Sequence, residues 1–212
     1  FVSNMVDNGV QQINPSNGSA RQITKGGMAA PGGLKLSEDG KTLHVAHLFG
    51  LRSVDLASGQ LTDVARMHGD AIEYPFAVTL SKDHYVLSSW FTGTVQLLSR
   101  KDNTSKAMAH GLAAPMDAVQ LPNGTVLTVN SVDLAGNIDP PGVAIVETAS
   151  QRKVLTITTR GKNPEHAVFS PDGRWLYVSA EEADTVDVID MQKREQVASI
   201  AVGRRPRGIA FT

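Results

Sequence analysis

A motif that begins with proline recurs five times along this chain, and it constrains the fold more than any other feature. The spacings between successive copies are 44, 40, 49 and 42 residues, and the copies start at Pro31, Pro75, Pro115, Pro164 and Pro206. Two variable residues and an apolar run follow each proline. In the four complete copies a turn comes eight residues after the proline. Three of these turns contain Asp-Gly or Asn-Gly, which supply the positive φ angles of a tight hairpin. In the remaining turn, that of the copy at Pro75, His84 replaces the glycine, which predicts a shorter hairpin there.

The best-formed copy, residues 163–211, indicates what each repeat contains. It holds three strand-like runs, AVF, WLYVSA and TVDVID, and a weaker fourth, EQVASI, rich in β-branched and aromatic residues. Four-stranded units that restart about every forty residues are typical of β-propeller blades. We therefore predict an all-β chain, a single β-propeller domain over residues 1–212. Its five blades lie at about residues 27–66, 67–109, 110–158, 159–201, and 202–212 together with 1–26.

The two ends of the chain predict how the propeller closes. Phe1–Asn4 matches the second strand of a blade and the third and fourth strands follow, whereas Gly208–Thr212 supplies only a first strand. We expect these terminal strands to share one blade, because pairing them hides edges that an open propeller exposes. The counterpart of Pro171–Leu176, the first hairpin of that shared blade, is missing. A slice of a larger propeller is therefore the alternative.

Composition excludes several classes of function. A formal net charge of −1 provides no basic surface for nucleic acid, so no nucleic-acid partner is expected. No apolar run approaches the roughly 20 residues that span a bilayer, so no membrane span is expected. The chain has no cysteine, which excludes disulfides, thiolate metal sites and a cysteine nucleophile. It begins at Phe1 without a methionine or signal sequence, which predicts a processed or trimmed polypeptide.

The stretch from Asn163 to Phe211 resembles the YVTN-type β-propeller repeat. Leu176–Ala180 (LYVSA) stands where that family has its name-giving tetrad, and Thr185–Asp190 (TVDVID) where it has a V-x-V-I-D strand. The middle copies, such as GLAAPMDAVQLPNGTVLTVNSVD, are similar to the looser repeats of NHL and gluconolactonase-type propellers. The resemblance implies a bacterial or archaeal protein that is periplasmic or extracellular. It implies no single activity, because the matching residues are those that build the blade.

Polar residues at one end of the central channel are the candidate functional groups. In a propeller, the first strand of each blade begins and the second strand ends at the same face, so side chains there ring the channel mouth. Candidate ligand-binding residues at this mouth are Asp117, Glu165, His166, Arg207, Asn130, His47 and Trp90. A structural role competes with binding at each position. Asp117 and His166 are of the type that bonds backbone amides at a strand entry, and Trp90 is of the type that packs between blades. Arg207 and Glu165 face each other across the mouth in this arrangement and are candidates for an ion pair.

A metal site is the alternative for the same mouth. The resemblance to gluconolactonase-like propellers implies a divalent cation held there by glutamate, asparagine and aspartate side chains. Asp117, Asn130 and Asn4 carry the oxygen ligands that a hard cation such as Ca²⁺ takes. Their spacing forms no motif, so the primary prediction is that there is no metal and no cofactor.

The function predicted from these features is a non-enzymatic binding or scaffold propeller. It would present its channel mouth, with Trp90 and the Asp133–Gly142 loop, to a protein or small-molecule partner. One alternative is a metal-dependent, lactonase-like hydrolase with His166 as the acid/base. Another is an accessory domain of a periplasmic redox enzyme, although no Cys-x-x-Cys-His is present to attach haem. We favour a non-enzyme, since no Gly-x-Ser-x-Gly nucleophile elbow occurs.

Overall fold

In a computed structural model the chain is an array of short antiparallel β-strands. The structure describes residues 1–67, 72–112, 114–121, 123–130, 142–147 and 152–210. The first ten strands are β1 (Val2–Asn4), β2 (Gly9–Ile13), β3 (Ala20–Thr24), β4 (Leu34–Leu36), β5 (Thr42–His47), β6 (Gly50–Asp55), β7 (Leu61–Arg66), β8 (Ala77–Leu80), β9 (His84–Ser89) and β10 (Thr94–Ser99). The others are β11 (Ser105–Ala109), β12 (Pro115–Gln120), β13 (Val126–Asn130), β14 (Gly142–Glu147), β15 (Arg152–Thr158), β16 (Pro164–Phe169), β17 (Trp175–Ala180), β18 (Thr185–Asp190) and β19 (Glu195–Ala201). A single 3₁₀ turn, Glu181–Ala183, follows β17.

These strands form five sheets that succeed one another along the chain, which confirms the prediction of an all-β, five-bladed propeller. Each sheet is a meander in which strands adjacent in sequence pair antiparallel. Gly40, Gly124 and Gly173 have positive φ angles in the hairpins where they were expected. The β8–β9 hairpin, where His84 replaces the glycine, is shorter than its counterparts, as predicted. Except for Gly142, the Asp133–Gly142 loop lies outside the described residues.

The residue before each repeated proline has a left-handed backbone. The φ angles are 46°, 33°, 44°, 55° and 53° at Ala30, Tyr74, Ala114, Asn163 and Arg205. Positive φ is uncommon for residues other than glycine. Its recurrence before all five prolines therefore marks a common turn that leads the chain into the first strand of the next repeat. The repeat found in the sequence is thus present in the backbone as well, including its fifth copy.

Consecutive sheets pack face to face through apolar cores. Successive side chains of a strand point to opposite faces of its sheet. In β9, Tyr85 and Leu87 therefore pack in the core shared with the preceding sheet, whereas Val86 packs in the core shared with the following sheet. Four such cores connect the five sheets in chain order. Among the described residues, no apolar core joins the β16–β19 sheet to the β1–β3 sheet.

The first sheet has three strands in the described part of the chain, β1 to β3. The strand predicted to complete it was Gly208–Thr212. Residues 208–210 form no strand, and residues 211 and 212 lie outside the described ranges. The predicted pairing of this segment beside Phe1–Asn4 is therefore not present among the described residues.

A serine hydrogen bond recurs between neighbouring repeats. The hydroxyl groups of Ser3, Ser88 and Ser179, at equivalent positions in the second strand, donate to the carbonyl oxygens of Gly32, Met116 and Arg207. Each acceptor is the residue after a repeated proline. This contact places Arg207 against β17, at the position that the repeat assigns to the start of a first strand.

Replacing Ser88 with alanine should lower the free energy of unfolding by about 1 kcal/mol, since a buried hydroxyl and its carbonyl partner lose their hydrogen bond. Ser88 is 1% exposed. Urea denaturation measures the change. Ser3 makes the same contact at a partly exposed position, so Ser3→Ala is the control and should cost less. Equal losses for both variants would contradict this interpretation.

Candidate functional site

The candidate site lies at the mouth end of β16, where the backbone places two polar side chains side by side. Pro164 pairs with Ala180 of β17 and Ala167 pairs with Val178. Two residues of β16, Glu165 and His166, therefore lie opposite one residue of β17, Ser179. This arrangement is a β-bulge in β16. A bulge breaks the alternation of side chains along a strand and redirects them. The bulge brings Glu165 and His166 to the mouth together.

His166 is tied to the neighbouring sheet through Asp117 of β12. Its Nδ1 lies 3.3 Å from Oδ2 of Asp117, and that oxygen also accepts from the backbone N–H of Ala167 at 3.3 Å. The other carboxylate oxygen accepts from the N–H of Ala118 at 2.8 Å. Burial lowers the pKa of His166, but the hydrogen bond and charge of Asp117, together with the charge of Glu165, raise it above its ordinary value. This favours a cationic imidazole ring, held in place by a buried carboxylate.

Glu181, directly after β17, gathers the other charged groups of the site. One oxygen, Oε1, accepts from Arg205 at 2.8 Å and from Arg207 at 3.1 Å. The other, Oε2, accepts from the side-chain amide of Asn163 at 2.7 Å. Burial alone would raise the pKa of Glu181, but the two guanidinium groups hold it below its usual value. Glu181 is therefore an ionised carboxylate with every oxygen engaged.

Glu165 differs sharply from Glu181, although the same asparagine contacts both. Both glutamates are 3% exposed, but Oε1 of Glu165 accepts only a long hydrogen bond, 3.4 Å, from the Asn163 amide within the described part of the chain. Its Oε2 is buried without a hydrogen-bond partner among the described residues. Burial raises the pKa of Glu165 to about 7, against the opposing charge of Arg207 and with a further contribution from Glu181. Near neutral pH the site thus contains one ionised and one partly protonated carboxyl group.

The sequence-predicted pair between Arg207 and Glu165 is replaced by the pair between Arg207 and Glu181. Both carboxyl groups are buried, but it is Glu181, directly after β17, that lies within hydrogen-bond distance of the two arginines. Sequence reasoning did not select Asn163, Glu181 or Arg205. A usable signal existed for Asn163 and Arg205, since they precede Pro164 and Pro206 at the same phase of the repeat.

The side-chain oxygens of the three residues of the alternative metal site accept hydrogen bonds from other groups of the chain. The Asn4 side-chain oxygen accepts from the backbone N–H groups of Val6 and Asp7. That of Asn130, which is buried, accepts from Thr128 Oγ1 at 3.3 Å, and both Asp117 oxygens accept backbone N–H groups. No group of three histidine, aspartate or glutamate side chains that could hold a metal occurs within the described ranges. Any Ca²⁺ site built from Asn4, Asp117 and Asn130 therefore stays a prediction, and its oxygens would have to give up or share these hydrogen bonds.

His47 lies apart from this cluster, at the end of β5. It lines a cleft of about 550 Å³ together with Phe49, Arg66 and Met67. Its Nδ1 receives a long contact, 3.4 Å, from the N–H of Phe49. Burial, assisted by the charge of Arg52, lowers the pKa of His47. Its environment therefore favours the neutral imidazole, whereas that of His166 favours the protonated ring.

Trp90 belongs to a group of aromatic rings on the same face, which we call the aromatic ridge: Tyr74, Phe76, Trp90 and Phe91. The Trp90 and Phe91 ring centroids are 3.8 Å apart. Phe76 meets Trp90 edge to face, and Tyr74 meets Phe91, each at 6.4 Å. Phe91 and Tyr74 are 59% and 39% exposed. Trp90 therefore packs within its own blade and supports an exposed aromatic surface.

Comparison with known proteins identifies the fold. No protein-family model matches the chain, and no curated protein sequence matches it. Many solved structures do. A structure from a nidogen/laminin complex matches with a TM-score of 0.74 and 10% identity, over 94% of this chain and 74% of that one. The YVTN resemblance stays a prediction.

Two of the other matching structures carry lactonase names. One is a periplasmic gluconolactonase from Pseudomonas aeruginosa, with a TM-score of 0.65 and 19% identity over 95% of this chain. The other is a putative 6-phosphogluconolactonase from Bacteroides fragilis, with a TM-score of 0.62 and 16% identity over 90% of this chain. This chain spans 65% and 62% of their lengths, less than two thirds in each case. At these identities the likeness shows the propeller fold alone.

Proposed function

We propose that this chain is a non-enzymatic binding propeller that presents its channel mouth to a protein partner, in a periplasmic or extracellular setting. The observation that carries the proposal is the aromatic ridge. Tyr74 lies ahead of β8, and Trp90 and Phe91 follow β9, so the ridge stands at the face where first strands begin. The names of two structural neighbours support the setting and the binding role, one a periplasmic enzyme and the other taken from a protein complex.

The chemistry of the ridge suits protein recognition. Aromatic side chains offer a large contact area at a small cost in side-chain entropy, and they are enriched among the residues that dominate binding energy. Trp90 contacts both Phe91 and Phe76. It therefore holds the exposed Phe91 ring in place in the absence of a partner. Tyr74 and Phe91 expose neighbouring rings, and contiguous exposed apolar surface often marks an interaction site.

A lactonase-like hydrolase receives less support from the site. The three candidate metal ligands bond other groups of the chain. His166 is held by Asp117 with a raised pKa, a shift that favours the protonated ring, whereas a general base acts in its unprotonated form.

Photocrosslinking tests the binding proposal. A benzoylphenylalanine replacing Phe91 should give one discrete protein adduct in the cells that make this chain. The same probe replacing Lys101, exposed in the β10–β11 turn at the opposite end of the same sheet, should give none. Adding Tyr74→Ala should reduce the adduct about tenfold, because a neighbouring anchor is lost. Equal adducts from both positions, or none from position 91, would overturn the proposal.

A further inference from the structure

The cleft of about 550 Å³ at the end of β5 is lined mainly by groups that carry no charge. Met28, Phe49 and Met67 supply its apolar surface. His47, whose pKa is lowered by burial, contributes a ring that favours the neutral form. Binding sites for small molecules and side chains are commonly recesses of this size with a mainly apolar lining. The cleft can therefore take up an apolar group from another molecule.

The charged residues of the cleft bind one another. Asp63 accepts from Nε of Arg52 at 2.6 Å and from Nε of Arg66 at 2.8 Å. These hydrogen bonds hold the pKa of Asp63 below its usual value. Arg52 also donates to the Gly27 carbonyl oxygen, and Arg66 is 71% exposed, so solvent screens its charge. The charged side of the cleft is thus engaged within the chain, and the apolar side is available to a ligand.

Backbone contacts join this cleft to the aromatic ridge. The Met67 N–H donates to the Phe49 carbonyl oxygen at 2.9 Å, and Met67 also pairs with Ile72 in a parallel β-bridge. Ile72 stands two residues before Tyr74 of the ridge, and Tyr74 contacts Phe91. The cleft and the ridge are therefore adjacent parts of one surface, at the ends of two neighbouring sheets.

Phe49 and Phe91 hold the same place in their repeats. Phe49 lies in the turn between β5 and β6, and Phe91 lies in the turn between β9 and β10, so each follows the second strand of its sheet. Their side chains are 53% and 59% exposed. Aromatic side chains dominate the binding energy of many protein interfaces, where they cluster. Two exposed rings at equivalent positions of neighbouring sheets fit one partner that spans both sheets.

We propose that the cleft is a second anchor pocket for the protein partner, which places an uncharged, apolar side chain there while it covers the aromatic ridge. Met28, Phe49 and Met67 contact that side chain. Methionine suits this role, because its flexible thioether adapts to apolar groups of different shape. The inference rests on the proposed function, since it concerns the same partner, and it adds the chemistry of a second contact.

Substitution at Phe49 tests the pocket. In protein that carries benzoylphenylalanine in place of Phe91, Phe49→Ala should reduce the adduct about tenfold, the scale of one lost aromatic anchor. Leu36→Ala removes another exposed apolar side chain from the same sheet, at the opposite end in β4. It should change the adduct less than about twofold. Thermal melting should report an intact fold in both variants, because both side chains are exposed.

A probe in the cleft itself reports the chemistry of the partner. Benzoylphenylalanine replacing Phe49 should give an adduct with the same protein as the probe at position 91. Peptide sequencing should find the crosslink at or next to an apolar residue of that protein. In cell extracts, raising NaCl from about 0.1 M to about 0.5 M should change the adduct less than about twofold, because salt does not screen apolar contacts.

The outcomes separate the pocket from the ridge. An adduct from position 91 that Phe49→Ala leaves unchanged would overturn the pocket and keep the ridge as the binding surface. No adduct from position 91 would overturn both proposals. A crosslink from position 49 to a cluster of charged residues, with an adduct that disappears at high salt, would show that the arginines of the cleft are recognised instead. That result would also overturn the apolar pocket.

Discussion

Replacing Gly33 with alanine should lower the free energy of unfolding by about 3 kcal/mol, the upper range for a side chain forced into a packed interior. An added Cβ at Gly33 would lie 2.7 Å from the Cα atom and 3.1 Å from the Cβ atom of Ala77 in the adjacent sheet. The approach is close because the Gly33 N–H donates to the Phe76 carbonyl oxygen at 2.7 Å. The new atom meets backbone, which cannot swing aside, so two sheets must separate.

Gly208 provides the matched control. It stands two residues after Pro206, as Gly33 stands two residues after Pro31. No described atom lies within 4 Å of a Cβ added at Gly208. Gly208→Ala should therefore change stability by less than about 0.5 kcal/mol, as exposed substitutions do. Chemical denaturation of both variants measures the contrast. A similar loss in both would mean that Gly208 is packed in solution, contrary to the structure.

Stability should fall as pH rises from 5 to 8, chiefly through Glu165. Its pKa is about 7 in the folded chain, against 4.5 as the ordinary value, so the folded state holds a proton that the unfolded state has lost. The contribution is full below pH 4.5, is lost between 4.5 and 7, and is on the order of 3 kcal/mol at most. The raised pKa of His166 acts in the same direction. Its contribution is full below 6.5 and is lost above that pH.

Glu165→Gln isolates this effect. Glutamine cannot ionise, so the variant should show a flatter dependence of unfolding free energy on pH and should exceed wild type in stability at pH 8. Urea denaturation at intervals from pH 5 to 8 measures both curves. Parallel curves for variant and wild type would show that Glu165 does not hold the proton. Below about pH 4.5 both proteins should weaken together, because Glu181 and Asp63, whose pKa values are lowered by arginine partners, become protonated.

The repeat made the architecture predictable, because each blade needs the same turns and the same apolar strands at the same spacing. Proline phase, Asp-Gly turns and runs such as TVDVID were enough to place sheets and hairpins in order. The left-handed residue before each proline was not predictable in this way. Asn163 favours that conformation, but Tyr74 and Arg205 do not. Their conformation follows from the path between neighbouring sheets, which no local pattern records.

The candidate site was predictable only as a region. Strand order brought Asp117 and His166 to one face, and the structure joins them. The choice of Glu181 over Glu165 as the partner of Arg207 depends on a bulge one residue long and on the 3₁₀ turn after β17. Such offsets decide which of the two buried carboxylates pairs with arginine. They arise from three-dimensional packing and leave little trace in the spacing of charged residues.

The serial arrangement of the sheets has a consequence for how the chain resists unfolding. In the part of the chain that the structure describes, each apolar core connects a sheet only to an immediate neighbour, and so do the hydrogen bonds of Ser3 and Ser88. The energy of such an array is close to a sum of local terms and nearest-neighbour couplings, as in a one-dimensional chain of coupled units. Among the described residues, each of the three inner sheets shares apolar cores with two neighbours, whereas the β1–β3 and β16–β19 sheets share one core each. In hydrogen exchange of this 212-residue polypeptide, we expect the sheet of β8 to β11 to keep its protection longest.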